Sequence, residues 1–179
     1  MRATLSVALA ALALAGCSAG PKQPQSIPPP PVPANGSNQS KVGGSIRLAA
    51  SSAGSSVQVR VSVNRVADPV EVGAADAPIT RAARFAGVFI SLLNVGDTNY
   101  DESPLSDASL VTSGGAKVLG EQVLGGPCAG EFASNVKVVP GAARSGCIVF
   151  EVPAGQKPAE FQFALDSGFG QEVGTWQLK

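Results

Sequence analysis

Four valines at every second position, Val57, Val59, Val61 and Val63, alternate with Gln58, Arg60, Ser62 and Asn64. Successive side chains of an extended chain point to opposite faces, so this segment has one apolar and one polar face and must be a half-buried strand. Beyond Gly44 no helical period survives for more than a turn. Phe85 to Leu93 is apolar on both faces and reads as a central strand. Cys147 to Val152, Glu160 to Leu165 and Val173 to Leu178 complete the clear strands, with weaker candidates at Ser45 to Leu48, Ser109 to Thr112, Lys117 to Leu119 and Asn135 to Val139. Turn residues separate them at Asp68-Pro69, Asn94 to Asp97, Ser113-Gly114-Gly115, Pro140-Gly141, Pro153 to Gly155 and Ser167 to Gly170. Seven to nine short strands over residues 45–179 predict an all-β chain folded as a two-sheet antiparallel β-sandwich.

The N-terminal segments are of another kind. Arg2 is followed by an uncharged apolar run from Ala3 to Ala15, the layout of a secretory signal peptide over residues 1–16. The run is well short of the roughly 20 residues that span a bilayer. It ends in Leu14-Ala15-Gly16-Cys17, which resembles the lipobox of bacterial lipoproteins. Cys17 would then become the first residue and carry two or three acyl chains, palmitate among them, which at roughly 0.8 kcal/mol per buried CH₂ form a stable anchor. From Pro21 to Pro33 seven of thirteen residues are proline, and Ala34 to Gly44 is rich in Gly, Ser, Asn and Gln. Residues 17–44 are therefore expected to be a disordered linker, a polyproline II rod followed by flexible coil. The expected location is the extracytoplasmic face of the cell membrane, or of the outer membrane in a host that has one.

Charge and cysteine content narrow the possible partners. Without Arg2, Lys22 and Lys41, ten basic residues face thirteen acidic ones, which offers no electrostatic footprint for nucleic acid. With Cys17 lipidated, Cys128 and Cys147 are an even pair in an oxidising compartment, which favours a disulfide over a metal site or a reactive thiol. Such a bridge closes a loop worth roughly 3 kcal/mol on the chain-entropy estimate.

Catalytic patterns are scarce. The chain has no histidine, which removes the Ser-His-Asp triad, and no Gly-x-Ser-x-Gly elbow is present. Gly168-x-Gly170 precedes a strand, not a helix, and so reads as a hairpin turn rather than a phosphate loop. Asp97, Asp101, Glu102 and Asp107, with Asn99 and Ser103, read as a solvated polar loop. Their oxygens also suit weak calcium binding, although the spacing does not match the twelve-residue calcium loop. Arg47, Arg60, Arg65, Arg81 and Arg84 fall early in the domain, and if several share a face they could dock on anionic wall polymer or lipid headgroups. No cofactor is expected.

The order of several segments carries a resemblance. Asp68-Pro69, Phe85 through Asn94-Val95-Gly96, Val139-Pro140-Gly141, Gly146 to Pro153, Phe161 to Asp166 and Trp176-Gln177-Leu178 resemble the telokin-like, immunoglobulin-like domain of unknown function found in actinobacterial and firmicute lipoproteins, relatives of the mycobacterial immunoprotective secreted antigen. Departures from that pattern are Ala86-Gly87, where bulkier residues are usual, and Ser113-Gly114-Gly115-Ala116. The resemblance implies an immunoglobulin-like sandwich, no catalytic residues, and a binding or accessory role at the cell surface. The expected function is that of a lipid-anchored, non-enzymatic module that binds another envelope protein or polymer. The alternative is a carrier holding a small apolar ligand between the two sheets.

Overall fold

Alternating burial follows the alternating sequence. A computed structural model describes residues 38–179 apart from 53, 54, 80, 81, 131 and 133. In it Val59, Val61 and Val63 are fully buried while Arg60 and Asn64 are exposed. The strands are β1 (Gln39–Lys41), β2 (Ser45–Ser52), β3 (Ser55–Ala67), β4 (Arg84–Asn94), β5 (Tyr100–Glu102), β6 (Ala108–Thr112), β7 (Lys117–Glu121), β8 (Val136–Val138), β9 (Ala143–Val152), β10 (Pro158–Ala164) and β11 (Val173–Gln177). One short helix, α1 (Pro104–Asp107), precedes β6. Each predicted strand is present. The additional ones are β1 and β5, three residues each, too short to show a period.

Two layers face each other. One has the order β2–β3–β4–β9 and the other β1–β11–β10–β6–β7, with β7 pairing with both β6 and β9 so that the ladder passes from one layer to the next. β5 and β8 form a separate two-stranded ribbon. All pairings are antiparallel except β1 with β11, which is parallel. That pairing also moves the start of the folded part, because residues 39–44 were expected to be linker. Val42 N–H donates to Gln177 O at 3.2 Å in one layer, and Gly43 N–H donates to Val63 O at 2.7 Å in the other. The Trp176 indole N–H donates to Gly44 O at 3.1 Å. The sequence offered no sign of this because the pairing uses backbone groups and one indole far along the chain.

The space between the layers is filled by side chains. Phe150, Phe161, Phe163 and Trp176 are fully buried, with ring centroids 6.1 Å apart for Phe150–Phe161 and 5.7 Å for Phe161–Trp176. Each contributes about 1.5–3 kcal/mol by leaving water. These four occupy the space that the alternative carrier reading assigns to a ligand.

The central strand β4 is apolar on both faces for a different reason on each. Ala86, Val88, Ile90 and Leu92 join the core between the layers. Phe85 faces the other way, with Val70, Val123, Cys128, Cys147 and Val149, in a second cluster beneath the segments that precede β4 and follow β7. The outer face of β4 and β9 is thus half covered by irregular chain.

Candidate functional site

Cys17, the expected lipidation site, lies outside the described residues, as does Arg81. Cys128 and Cys147 form a disulfide with a Cα–Cα distance of 4.8 Å. Cys147 turns away from the intersheet core, and the bridge pins the segment after β7 against the outer face of β4 and β9. Gly87 makes this possible. A Cβ there would stand 3.0 Å from the Cys147 Sγ and 3.1 Å from that of Cys128. The departure from bulkier residues at Ala86-Gly87 is the space the bridge needs. Asp76 clasps the same layer, its Oδ2 accepting from the N–H groups of Gly73, Leu124 and Gly125 at 3.0–3.1 Å.

The acidic segment is not a solvated loop. It supplies β5 and α1, and its four carboxylates do not converge: Asp97 and Asp101 are exposed, and no three acidic or sulfur side chains among the described residues come together at metal-ligating separations. Asp107 is buried, accepting a 2.7 Å hydrogen bond on Oδ2 from the Tyr100 hydroxyl. Its Oδ1 has no hydrogen-bond partner among the described residues. Burial pushes the Asp107 carboxyl up to about 8, against the pull of the Tyr100 hydroxyl, and the nearby charge of Glu102 adds to the rise. Burial, then the charge of Asp107, holds the Tyr100 phenol well above its usual range. Asp107 borders a cleft of about 260 Å³ that is also lined by Ser109, Leu119, Gln162, Phe169 and Val173. Phe169 is 85% exposed and Leu119 68%.

Turn residues carried expectations that the geometry refines. Gly141 has φ 78° at the corner after β8, as Pro140-Gly141 predicts. Gly96 does not have a positive φ. It is glycine because a Cβ would stand 3.0 Å from the backbone nitrogen of Gln58. Asn94 is buried and holds the turn together, donating from Nδ2 to Thr98 O and Val138 O at 2.7 and 2.8 Å.

The arginines divide. Arg84 pairs with Asp68, donating from Nε at 2.6 Å and from Nη2 at 2.8 Å. That is the only ion pair among the described residues. Arg47, Arg60 and Arg65 share the outer face of β2–β3–β4–β9. Arg47 and Arg60 are directly opposite each other across β2 and β3. Side chains so placed have Cβ atoms about 5 Å apart, and like charges there cost roughly 0.2–1 kcal/mol. Arg65 reaches the same face because a bulge between Val63 and Arg65 breaks the alternation, and its guanidinium stacks 3.3 Å from the Phe89 ring centroid. Beside these cations runs a row of hydroxyls that sequence reading missed. Ser45 pairs with Ser62, Ser62 with Ser91 and Ser91 with Ser145, one serine per strand across all four strands. Ser91 Oγ lies 2.7 Å from Ser145 Oγ and accepts from Asn64 Nδ2 at 2.8 Å. A cleft of about 270 Å³ adjoins the row, bordered by Asn64, Phe89, Pro127, Cys128, Ser145 and Cys147. Strand spacing alone gave no register, so the alignment of the four serines was not legible.

The described residues form an all-β sandwich with aromatic side chains packed between its layers. No family model matches the chain. No curated protein matches it either. Among solved structures it is similar to MPT63, a secreted protein from Mycobacterium tuberculosis, with 18% identity, a TM-score of 0.52, and 78% of this chain and 95% of that one covered. It is also similar to the yjhA protein of Bacillus subtilis, with 13% identity, a TM-score of 0.52, and 78% and 99% covered. A third is ycdA of Bacillus subtilis, provisionally described as a lipoprotein, with 14% identity, a TM-score of 0.51, and 66% and 35% covered. At these identities the likeness is one of fold.

Proposed function

We propose that this chain is a cell-envelope lipoprotein of the telokin-like group, held by lipid on Cys17 and presenting its sandwich as a non-enzymatic binding module to another envelope protein or polymer. The observation that carries the reading is the outer face of β2–β3–β4–β9, where Arg47, Arg60 and Arg65 have no carboxylate partner among the described residues. The Cys128–Cys147 bridge supports an oxidising compartment. The secreted character of MPT63 and the description of ycdA as a lipoprotein support the same location. Crosslinking in intact cells tests the reading: a discrete partner is expected with the wild-type chain, and recovery of none counts against it. Labelled fatty acid should be incorporated by the wild-type chain and not by Cys17→Ala.

A second reading is favoured by the cleft beside Phe169 and Leu119, whose lining suits a small apolar molecule. It places the ligand outside the layer of β6, β10 and β11, not between the sheets. Solvent extraction followed by mass spectrometry should then recover a lipid whose occupancy falls in Phe169→Ala. An extract without lipid removes this reading.

A further inference from the structure

We propose that the outer face of β2–β3–β4–β9 binds an extended anionic polymer, one built of hydroxyl-bearing units joined through phosphodiesters. The proposal rests on the reading of the chain as an envelope binding module and names the partner class and the site.

The positive charges are placed where charge alone would disfavour them. Arg47 and Arg60 face each other across adjacent strands with no carboxylate among the described residues bridging them. A phosphate, with several acceptor oxygens, accepts from two guanidinium groups at once and relieves their repulsion. Arg65 is held in place by its stacking on Phe89 and offers the edges of its guanidinium as donors on the opposite side of the serine row.

The hydroxyl row sets the shape of the partner. Four serines on four neighbouring strands at about 4.8 Å spacing make a line roughly 15 Å long, which suits several units of a polymer and exceeds a single headgroup. At its β9 end the row meets the cleft walled by Pro127 and the disulfide, where one unit can be partly enclosed. Among the described residues none of the exposed large apolar side chains belongs to β2, β3, β4 or β9 themselves; Ile79 and Leu124 are on the irregular segments at the β9 side, away from the arginine pair on β2 and β3. Charge complementarity and the length of the row favour a polymer over a lipid surface.

The test uses the full chain carrying Cys17→Ser, oxidised at Cys128–Cys147, titrated calorimetrically with poly(glycerol phosphate), neutral dextran, and vesicles of phosphatidylglycerol and phosphatidylcholine. Poly(glycerol phosphate) is expected to bind and dextran not to. The combined Arg47→Gln, Arg60→Gln and Arg65→Gln variant should weaken binding at least tenfold, and Ser62→Ala with Ser91→Ala at least threefold, with unchanged circular dichroism. The combined Lys117→Gln, Lys137→Gln and Lys157→Gln variant removes as many charges elsewhere and should leave affinity within twofold. Absent polymer binding, an arginine variant of wild-type affinity, or an equal loss in the lysine variant overturns the proposal. Arginine-dependent binding to the vesicles also overturns it by assigning the face to lipid. If the site fails while intact-cell crosslinks still yield a partner, the binding-module reading stands without it; if crosslinks also fail, both fall.

Discussion

Gly87 leaves no room for a methyl group, since a Cβ there would press on both sulfurs of the bridge and on Val70 at 3.0–3.1 Å. Gly87→Ala should therefore cost roughly 1–3 kcal/mol, the usual range for overpacking, measured by denaturant unfolding of the oxidised protein. In the reduced protein, where the sulfurs can separate, the cost should shrink. Asp107 makes a prediction in pH. Its carboxyl is raised by burial to about 8 in the fold and has an ordinary value near 3.9 when unfolded. Between those values the folded protein holds a proton the unfolded chain has released, so stability falls as pH rises, by up to about 1.4 kcal/mol per unit. The contribution is complete below the unfolded value and lost above about 8. Asp107→Asn removes this titration, and its stability relative to wild type should be greater at pH 8 than at pH 5. An equal difference at both values would show that the carboxyl is ionised within the fold. Of these residues only the cysteine pair was legible in the sequence. Asp107 was grouped with exposed acids because nothing local shows that Tyr100, seven positions earlier, turns inward and takes it along.

Long strands were legible because their side chains record the faces they occupy; of the three-residue strands β8 was legible and β1 and β5 were not, because their partners define them. β3 follows directly from alternation and β4 from its continuous apolar run, whereas β1 depends on its pairing with β11, and β5 on β8. The bulge after Val63 hid the arginine face in the same way. Strict alternation puts Arg65 with the buried valines, and one extra residue sends it outward. The segment over residues 39–44, bonded to both layers, has a measurable effect. A chain beginning at Ser45 lacks the Gly44 carbonyl and strands the buried Trp176 indole N–H, a loss of about 1–3 kcal/mol. It should melt below one beginning at Asn38, with faster amide exchange in β2 and β11. The disulfide makes a second prediction at this scale. Bridging residues 19 apart contributes roughly 3 kcal/mol, so reduction should lower the melting temperature by about 10 °C for a domain of this size. The segment after β7 should loosen first, because the sulfurs hold it to the sandwich from outside the main core.

At the scale of the whole molecule, the sandwich keeps Trp176 and Tyr100 inside and gathers Arg47, Arg60 and Arg65, without carboxylate partners among the described residues, on one outer face. The segment over residues 39–44 then bears on how such a module resists being pulled. Held at Cys17 as proposed, and gripped by a partner on β2–β3–β4–β9, the domain takes load through residues 39–44. Gly43 and Gly44 are bonded to Val63 in the gripped layer, and Val42 to Gln177 in the opposite one. Tension entering here is divided between the two layers instead of peeling a lone edge strand. Forced unfolding follows the unfolding rate rather than equilibrium stability. Pulled between Asn38 and a point on β3, the protein should rupture at a higher force than a chain whose Val42 to Gly44 segment is replaced by a slack loop, although the two differ little at rest.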